Sequence, residues 1–383
     1  MTLSFRVSPI KKMIAYWLLL IGSLTHLTAL ASTSPYYIAS IGDSITAGVD
    51  GNNQQSLDNY TYSNAIIQGK LKAKQTYQSL FVSNTTFAPG GYREALVQLM
   101  CDPYLSITFT TDPTAPAQTV NNDPSTSIAS HFQCDARSKK IHYIDRNNQL
   151  HAIKFLGNTT PNPFGTNPNN QAAPGIDYFT DTQATDSNGK TITVKAPYFA
   201  NQGYTLCNST HNCPFPIASL FQQAKTPLPD KANIFAITLA GTNDIMLGFD
   251  TFNELKSDLL HFITRTLPAN LNPNSTNTLF HIVSPITPVT NSGACKMFTK
   301  DGCADLTYNR YIQNKNVSPS APSLTHDVLI NDPKSHISIA GSIIPVLGYN
   351  NNVHPDLQNY LYLGYNIANV LVKNFQIAAT TAS

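Results

Sequence analysis

The chain has 383 residues, with 24 Lys and Arg against 22 Asp and Glu, and only 12% of it is charged. So even a balance argues against a nucleic-acid partner held through its phosphates; Asn, Thr, Ser, Tyr and Pro carry the polarity instead. The length is large for one domain and small for two large ones.

The first 31 residues read as a secretory signal peptide. Arg6, Lys11 and Lys12 form a basic start, residues 13–30 are mostly apolar around Trp17-Leu18-Leu19-Leu20-Ile21, and Ala29-Leu30-Ala31 fits the small-x-small cleavage pattern. A membrane anchor is the alternative, but Thr25 and His26 interrupt the apolar run. Cleavage removes three basic and no acidic residues, leaving 21 basic against 22 acidic, a balance of −1. No later run of 18 apolar residues exists, so no stable membrane insertion is expected after cleavage. The expected location is secreted or periplasmic.

In chain order, residues 36–41 form an apolar run that reads as a buried strand. It leads into Gly42-Asp43-Ser44, with Gly48 beyond. Ser44 is expected on a tight turn with its hydroxyl exposed, where an α/β protein presents a nucleophile; taken alone, the motif is equally an Asp-Ser hydrogen-bonded turn. Ala65, Ile66, Ile67 and Leu71 predict a helix, Leu80-Phe81-Val82 a short strand, and Ala88-Pro89-Gly90-Gly91-Tyr92 a turn before a second helix carrying Leu96, Leu99 and Met100.

From residue 101 to 214 the character changes to Pro, Asn, Thr and Asp, without helical periodicity. Ile141-His142-Tyr143-Ile144 against Leu150-His151-Ala152-Ile153, turning at Asn147-Asn148, predicts one hairpin. Ser187-Asn188-Gly189 before Thr191-Ile192-Thr193-Val194 predicts another. This stretch is read as a β-rich, disulfide-containing insertion subdomain. The six cysteines favour local pairs by spacing: Cys101 with Cys134, Cys207 with Cys213, Cys295 with Cys303. Zinc is the alternative, but there is no Cys-x-x-Cys and the histidines are scattered.

After a short helix from Ile217 comes a second long apolar run at 233–240, then Gly241-Thr242-Asn243-Asp244. Phe252, Leu255, Leu259 and Phe262 make the apolar face of an amphipathic helix, residues 279–283 a strand ended by Pro285, and residues 306–313 a helix. His354-Pro355 precedes a last helix with Leu357, Leu361, Ile367 and Leu371 in a stripe, which Asp356 is placed to cap. Strands alternating with helices predict an α/β fold, a three-layer sandwich with a central parallel sheet covered on both faces.

Gly-Asp-Ser at 42–44, Gly-Thr-Asn-Asp at 241–244 and His354-Pro355, in that order, resemble the SGNH (GDSL-type) hydrolases. The resemblance covers residues 36–100 and 215–376. It implies a hydrolase domain in two parts, 32–100 and 215–378, split by the 101–214 insertion. It also implies a secreted serine esterase or lipase that acts through an acyl-enzyme, with Ser44 as nucleophile and His354 as base. The Ser44 N–H, a glycine N–H from the second block (Gly91, with Gly90 the alternative) and the Asn243 side-chain amide would form the oxyanion hole. The family's acid, three residues before the His, falls on Asn351, which offers the imidazolium no charge; either Asn351 orients the ring, or a backbone carbonyl does, or an Asp from elsewhere reaches it. No metal and no organic cofactor is implied; the substrate would be a small-molecule, lipid or glycan ester. Two alternatives stand beside this: a carbohydrate O-acetylesterase, and a non-catalytic binding protein on a decayed hydrolase fold.

Overall fold

A computed structural model describes residues 33–47, 92–101, 106–109, 118–121, 128–135, 140–158, 172–177, 182–185, 191–194, 199–200, 204–206, 216–222, 230–247, 252–286, 304–313, 323–341 and 357–381. The chain divides into Met1–Ser34 and Pro35–Ser383, and the fold is that of the second unit. Its strands are β1 (Tyr36–Gly42), β2 (Ser106–Phe109), β3 (Gln118–Asn121), β4 (Phe132–Asp135), β5 (Lys140–Ile144), β6 (Leu150–Asn158), β7 (Ala172–Asp177), β8 (Thr182–Thr185), β9 (Thr191–Val194), β10 (Phe199–Ala200), β11 (Asn233–Leu239), β12 (Thr278–Val283) and β13 (His336–Ile339). The helices are α1 (Ser44–Ala47), α2 (Tyr92–Cys101), α3 (Ala218–Gln222), α4 (Thr242–Leu247), α5 (Phe252–His261), α6 (Leu267–Leu271), α7 (Ala304–Gln313), α8 (Leu324–Asn331) and α9 (Leu357–Thr381).

The central sheet has the order β13-β12-β11-β1-β6-β5-β4, with β10 also on β1 and β7 also on β6. From β13 to β6 every pairing is parallel; β4, β5 and β7 join antiparallel. The parallel centre follows from its residues. β1 is buried at all seven positions and β11 at six of seven, so both faces are apolar and both must be covered. Tyr36, Ile38, Phe235, Ile237, Phe280 and Ile282 pack with Leu96 and Leu99 of α2 and with Leu371 and Phe375 of α9. The alternate residues Tyr37, Ala39, Ile41, Ile234 and Ala236 pack with Leu220, Leu255, Leu259 and Tyr308 in a second cluster, as strand geometry requires.

The predicted amphipathic helix is α5: Leu255, Leu259 and Phe262 are buried and Phe252 is half-buried. It does not stop at His261. A wide turn over Phe262–Thr266, in which the Leu267 N–H reaches the Phe262 carbonyl five residues back, carries it into α6. Pro268 has no N–H to continue a regular ladder, which fits the change of pitch just before it. In the last helix Ile367 and Leu371 of the predicted stripe are fully buried.

Both predicted hairpins are present, β5–β6 with Tyr143 opposite His151, and β8–β9 with Ala184 opposite Ile192. Asn148 takes the left-handed conformation in the first turn (φ 57°). Their location carries more information than their existence. β6 lies beside β1, Tyr36 opposite Ile153 and Ala39 opposite Leu156, so the 101–214 stretch supplies strands to the central sheet itself. Cys101 and Cys134 are bonded, with Cα atoms 5.6 Å apart, which ties α2 to β4. The other four cysteines, the helix expected at residues 65–71, the strand expected at 80–82 and the cap Asp356 lie outside the described residues. Several described elements have no counterpart in the sequence reading, among them the short strands β2, β3, β4, β7 and β10, then α8 and β13. β13 is a four-residue edge strand whose residues are all half-buried, a pattern too short and too mixed to register.

Candidate active site

Ser44 follows β1 with one residue between them and is the first residue of α1. The end of β1 can approach β11 only because residue 42 is glycine. A Cβ there would run into the Leu239 carbonyl oxygen and the Thr46 hydroxyl. Asp43 then turns the chain: its Oδ1 accepts the Ile45 N–H at 2.9 Å, a local side-chain turn of the kind Asp favours. The Thr46 hydroxyl faces the carbonyls of Ile41 (3.5 Å) and Leu239 (3.4 Å). From the other face Arg93 of α2, 2% exposed, donates from Nε to the Thr46 carbonyl at 3.0 Å. Ser44 is consequently buried, at 3% exposure, and not exposed as its turn position predicts. The reason is tertiary: α1 is one turn long and is enclosed by α2 and β10.

Asp43 is fully buried. Desolvation pushes its pKa up to about 7, against the opposing pull of the Ile45 N–H and the Thr242 side chain. A carboxyl beside the proposed nucleophile therefore titrates near neutrality.

Asn243 leaves the sheet at the same end. β1 and β11 are parallel neighbours with Gly42 opposite Leu239, so Ser44 and Asn243 both stand just past the C-terminal ends of adjacent strands, where open α/β sheets bind ligands. Gly241 makes the turn with φ +114°, and a Cβ on it would meet the Tyr308 ring at 2.9 Å. The Tyr308 hydroxyl donates to the Ala240 carbonyl at 3.0 Å, closing the turn from behind. The Asn243 amide is held: Nδ2 donates to the Tyr204 carbonyl at 2.9 Å. Because the partner is a carbonyl, the nitrogen end must face it, and the second Nδ2 proton is left for another acceptor. Asp244, fully buried, accepts the Leu206 N–H at 2.9 Å through Oδ1. Nothing in the sequence pointed to residues 204–206, since a backbone carbonyl and a backbone N–H have no residue-type signature.

The structure thus brings Ser44 and Asn243 to one edge of the sheet. Gly91, Asn351 and His354 lie outside the described residues. Asn309 clamps the loop after β12, accepting the Ile286 N–H and donating to the Ile286 carbonyl, both at 2.9 Å. Two of the other histidines, His151 and His281, belong to the central sheet. His151 sits at the opposite end of β1, its Nε2 3.3 Å from Asp145 and its ring stacked on Tyr36 at 4.4 Å. His281 is buried inside β12, and burial pushes its pKa down to about 4. Among the described residues no group of three or more His, Cys, Asp or Glu could hold a metal ion, and no helix is long and apolar enough to cross a membrane.

No family model matches the chain, and no curated protein does. Solved structures do. A carbohydrate esterase family 3 protein from Talaromyces cellulolyticus is 17% identical, over 50% of this chain and 78% of its own, with a TM-score of 0.30. A carbohydrate acetylesterase from Sinorhizobium meliloti is 14% identical, over 50% of this chain and 93% of its own, with a TM-score of 0.29. The native aryl esterase of M. smegmatis is 13% identical, over 48% and 77%, with a TM-score of 0.28. These three solved structures are esterases by name, matched at low identity over about half of this chain.

Proposed function

We infer that the protein is an exported serine ester hydrolase, built on a three-layer α/β sandwich, that cleaves carboxylic esters through an acyl-enzyme on Ser44. One observation carries this reading. A serine behind an obligatory glycine and an asparagine whose amide is already oriented stand past the ends of neighbouring parallel strands. Acyl transfer needs a hydroxyl and, close to it, donors for the oxyanion of the tetrahedral intermediate. Ser44 supplies the first, and its N–H, the Gly91 N–H and the Asn243 amide supply the second. His354 takes the serine proton and returns it to the leaving alcohol, with Asn351 beside it as the orienting group. Residues 101–214 border the substrate cleft, residues 1–31 are removed on export, and Cys207–Cys213 and Cys295–Cys303 complete the disulfides.

A fluorophosphonate probe tests the reading. Labelling of the wild-type protein that disappears in Ser44→Ala and falls strongly in His354→Ala supports it. No labelling of folded wild-type protein refutes it and leaves a binding protein. A panel of p-nitrophenyl esters from acetate to palmitate then sets the acyl length: acetate alone points to a carbohydrate O-acetylesterase, long chains to a lipase.

A further inference from the structure

Two consecutive side chains in the turn after β11 grip one short piece of backbone. Asn243 Nδ2 donates to the Tyr204 carbonyl and Asp244 Oδ1 accepts the Leu206 N–H, each at 2.9 Å. The residue between them is held from the other side: Thr205 bridges Pro216, and the Ile217 N–H donates to the Thr205 carbonyl at 2.8 Å. This alternation is that of extended backbone, in which the polar groups of residues two apart point the same way. Tyr204, Thr205 and Leu206 are all buried. A strap bonded along both edges does not follow the amide of Asn243; the amide follows the strap.

We propose that Asp244 is a positioning residue for the oxyanion donor Asn243, acting through the Tyr204–Leu206 strap. The proposal rests on the serine hydrolase reading. A carboxamide has two N–H groups in one plane. With one committed to the Tyr204 carbonyl, the direction of the other is set by where that carbonyl lies. The Leu206 N–H, two residues on, is anchored by Asp244. Release of that anchor lets the Tyr204 end shift, and the second N–H loses its aim at the oxyanion. Donors of this kind act only when placed in advance, and a displacement of about 1 Å costs on the order of 10²-fold. The 101–214 stretch thereby contributes to catalysis through the backbone of Tyr204 and Leu206.

The test is a double-mutant cycle on p-nitrophenyl acetate. Asp244→Ala lowers kcat roughly 10- to 100-fold with KM changed by less than about threefold. Asp244→Asn keeps an Oδ1 acceptor for the Leu206 N–H and stays within about threefold of wild type. In an Asn243→Ala background Asp244→Ala costs no more than about twofold further, because the group it positions is gone. An equal loss in both backgrounds, or no rescue by Asp244→Asn, overturns the proposal. Should Asp244→Ala not fold, Asp244→Leu removes the acceptor at larger volume and enters the same cycle. A second arm needs no turnover. In protein labelled with ¹⁵N-asparagine, the Asn243 side-chain amide protons exchange slowly with solvent and at least about 10-fold faster once Asp244 is replaced, the size of one lost hydrogen bond. Unchanged exchange refutes the strap. A wild-type protein that cleaves no ester refutes the serine hydrolase reading alone, and the exchange arm still decides whether Asp244 holds Asn243.

Discussion

Asp43→Asn should make the protein more stable at neutral and alkaline pH while leaving it unchanged in acid. The carboxyl of Asp43 is fully buried, and burial raises its pKa from 3.8 to about 7. Between those values the folded state holds a proton that the unfolded chain has released. Stability from this group is therefore greatest below about pH 4 and is lost as pH rises to about 7, where it levels off. A shift of about 3 units at 1.36 kcal/mol each amounts to about 4 kcal/mol lost between pH 4 and 8. Asn removes the ionisation, keeps the size, and can still accept the Ile45 N–H through its own Oδ1. Thermal unfolding of both proteins from pH 4 to 8 reads the difference directly. At pH 4 the two melt together; at pH 8 the variant is more stable by up to about 4 kcal/mol, which at about 2 °C per kcal/mol is several degrees. Subtracting one curve from the other cancels every other titrating group. Parallel curves across the range would mean that Asp43 keeps its ordinary pKa, and that water or an opposite charge reaches the space behind Ser44.

His281 predicts the opposite limb. Its pKa is lowered to about 4 by burial, so the unfolded chain takes up a proton first, and stability is lost as pH falls from about 6.5 to about 4. His281→Gln should flatten that acid limb by up to about 3 kcal/mol, read as melting temperature at pH 4.5 against pH 7; an unaltered acid limb refutes it. Cys101→Ser opens a loop of 33 residues and should cost about 3–4 kcal/mol by chain entropy, measured by urea unfolding against wild type under non-reducing conditions. Finally, Asn351→Asp should raise kcat on a simple ester and move the pH edge upward, because a carboxylate beside His354 would stabilise the imidazolium. An unchanged rate and edge in folded protein would mean that Asn351 does not touch His354.

Local residue patterns already announced the longer elements among the described residues. The apolar runs that became β1, β11 and β12 stood out because a parallel strand buried on both faces has no polar side to interrupt it. α5 stood out by its stripe, and the β5–β6 turn by Asn147 and Asn148. The Gly42-Asp43-Ser44 and Gly241-Thr242-Asn243-Asp244 motifs were readable for the same reason: each needs particular residue types at neighbouring positions, a glycine that lets backbone through and a polar side chain that follows. Cys101 and Cys134 were paired by spacing alone. Only the tertiary structure decided which strand lies beside which. β6 borders β1 although more than a hundred residues separate them, because its Ile153, Phe155 and Leu156 complete the faces that Tyr36 and Tyr37 begin; such a choice depends on the fit between distant surfaces, which no local window contains. The same holds for the burial of Ser44 under α2 and β10, for the raised pKa of Asp43, and for the Tyr204 carbonyl that orients Asn243. These are contacts to backbone and to excluded water, and neither leaves a mark on residue type.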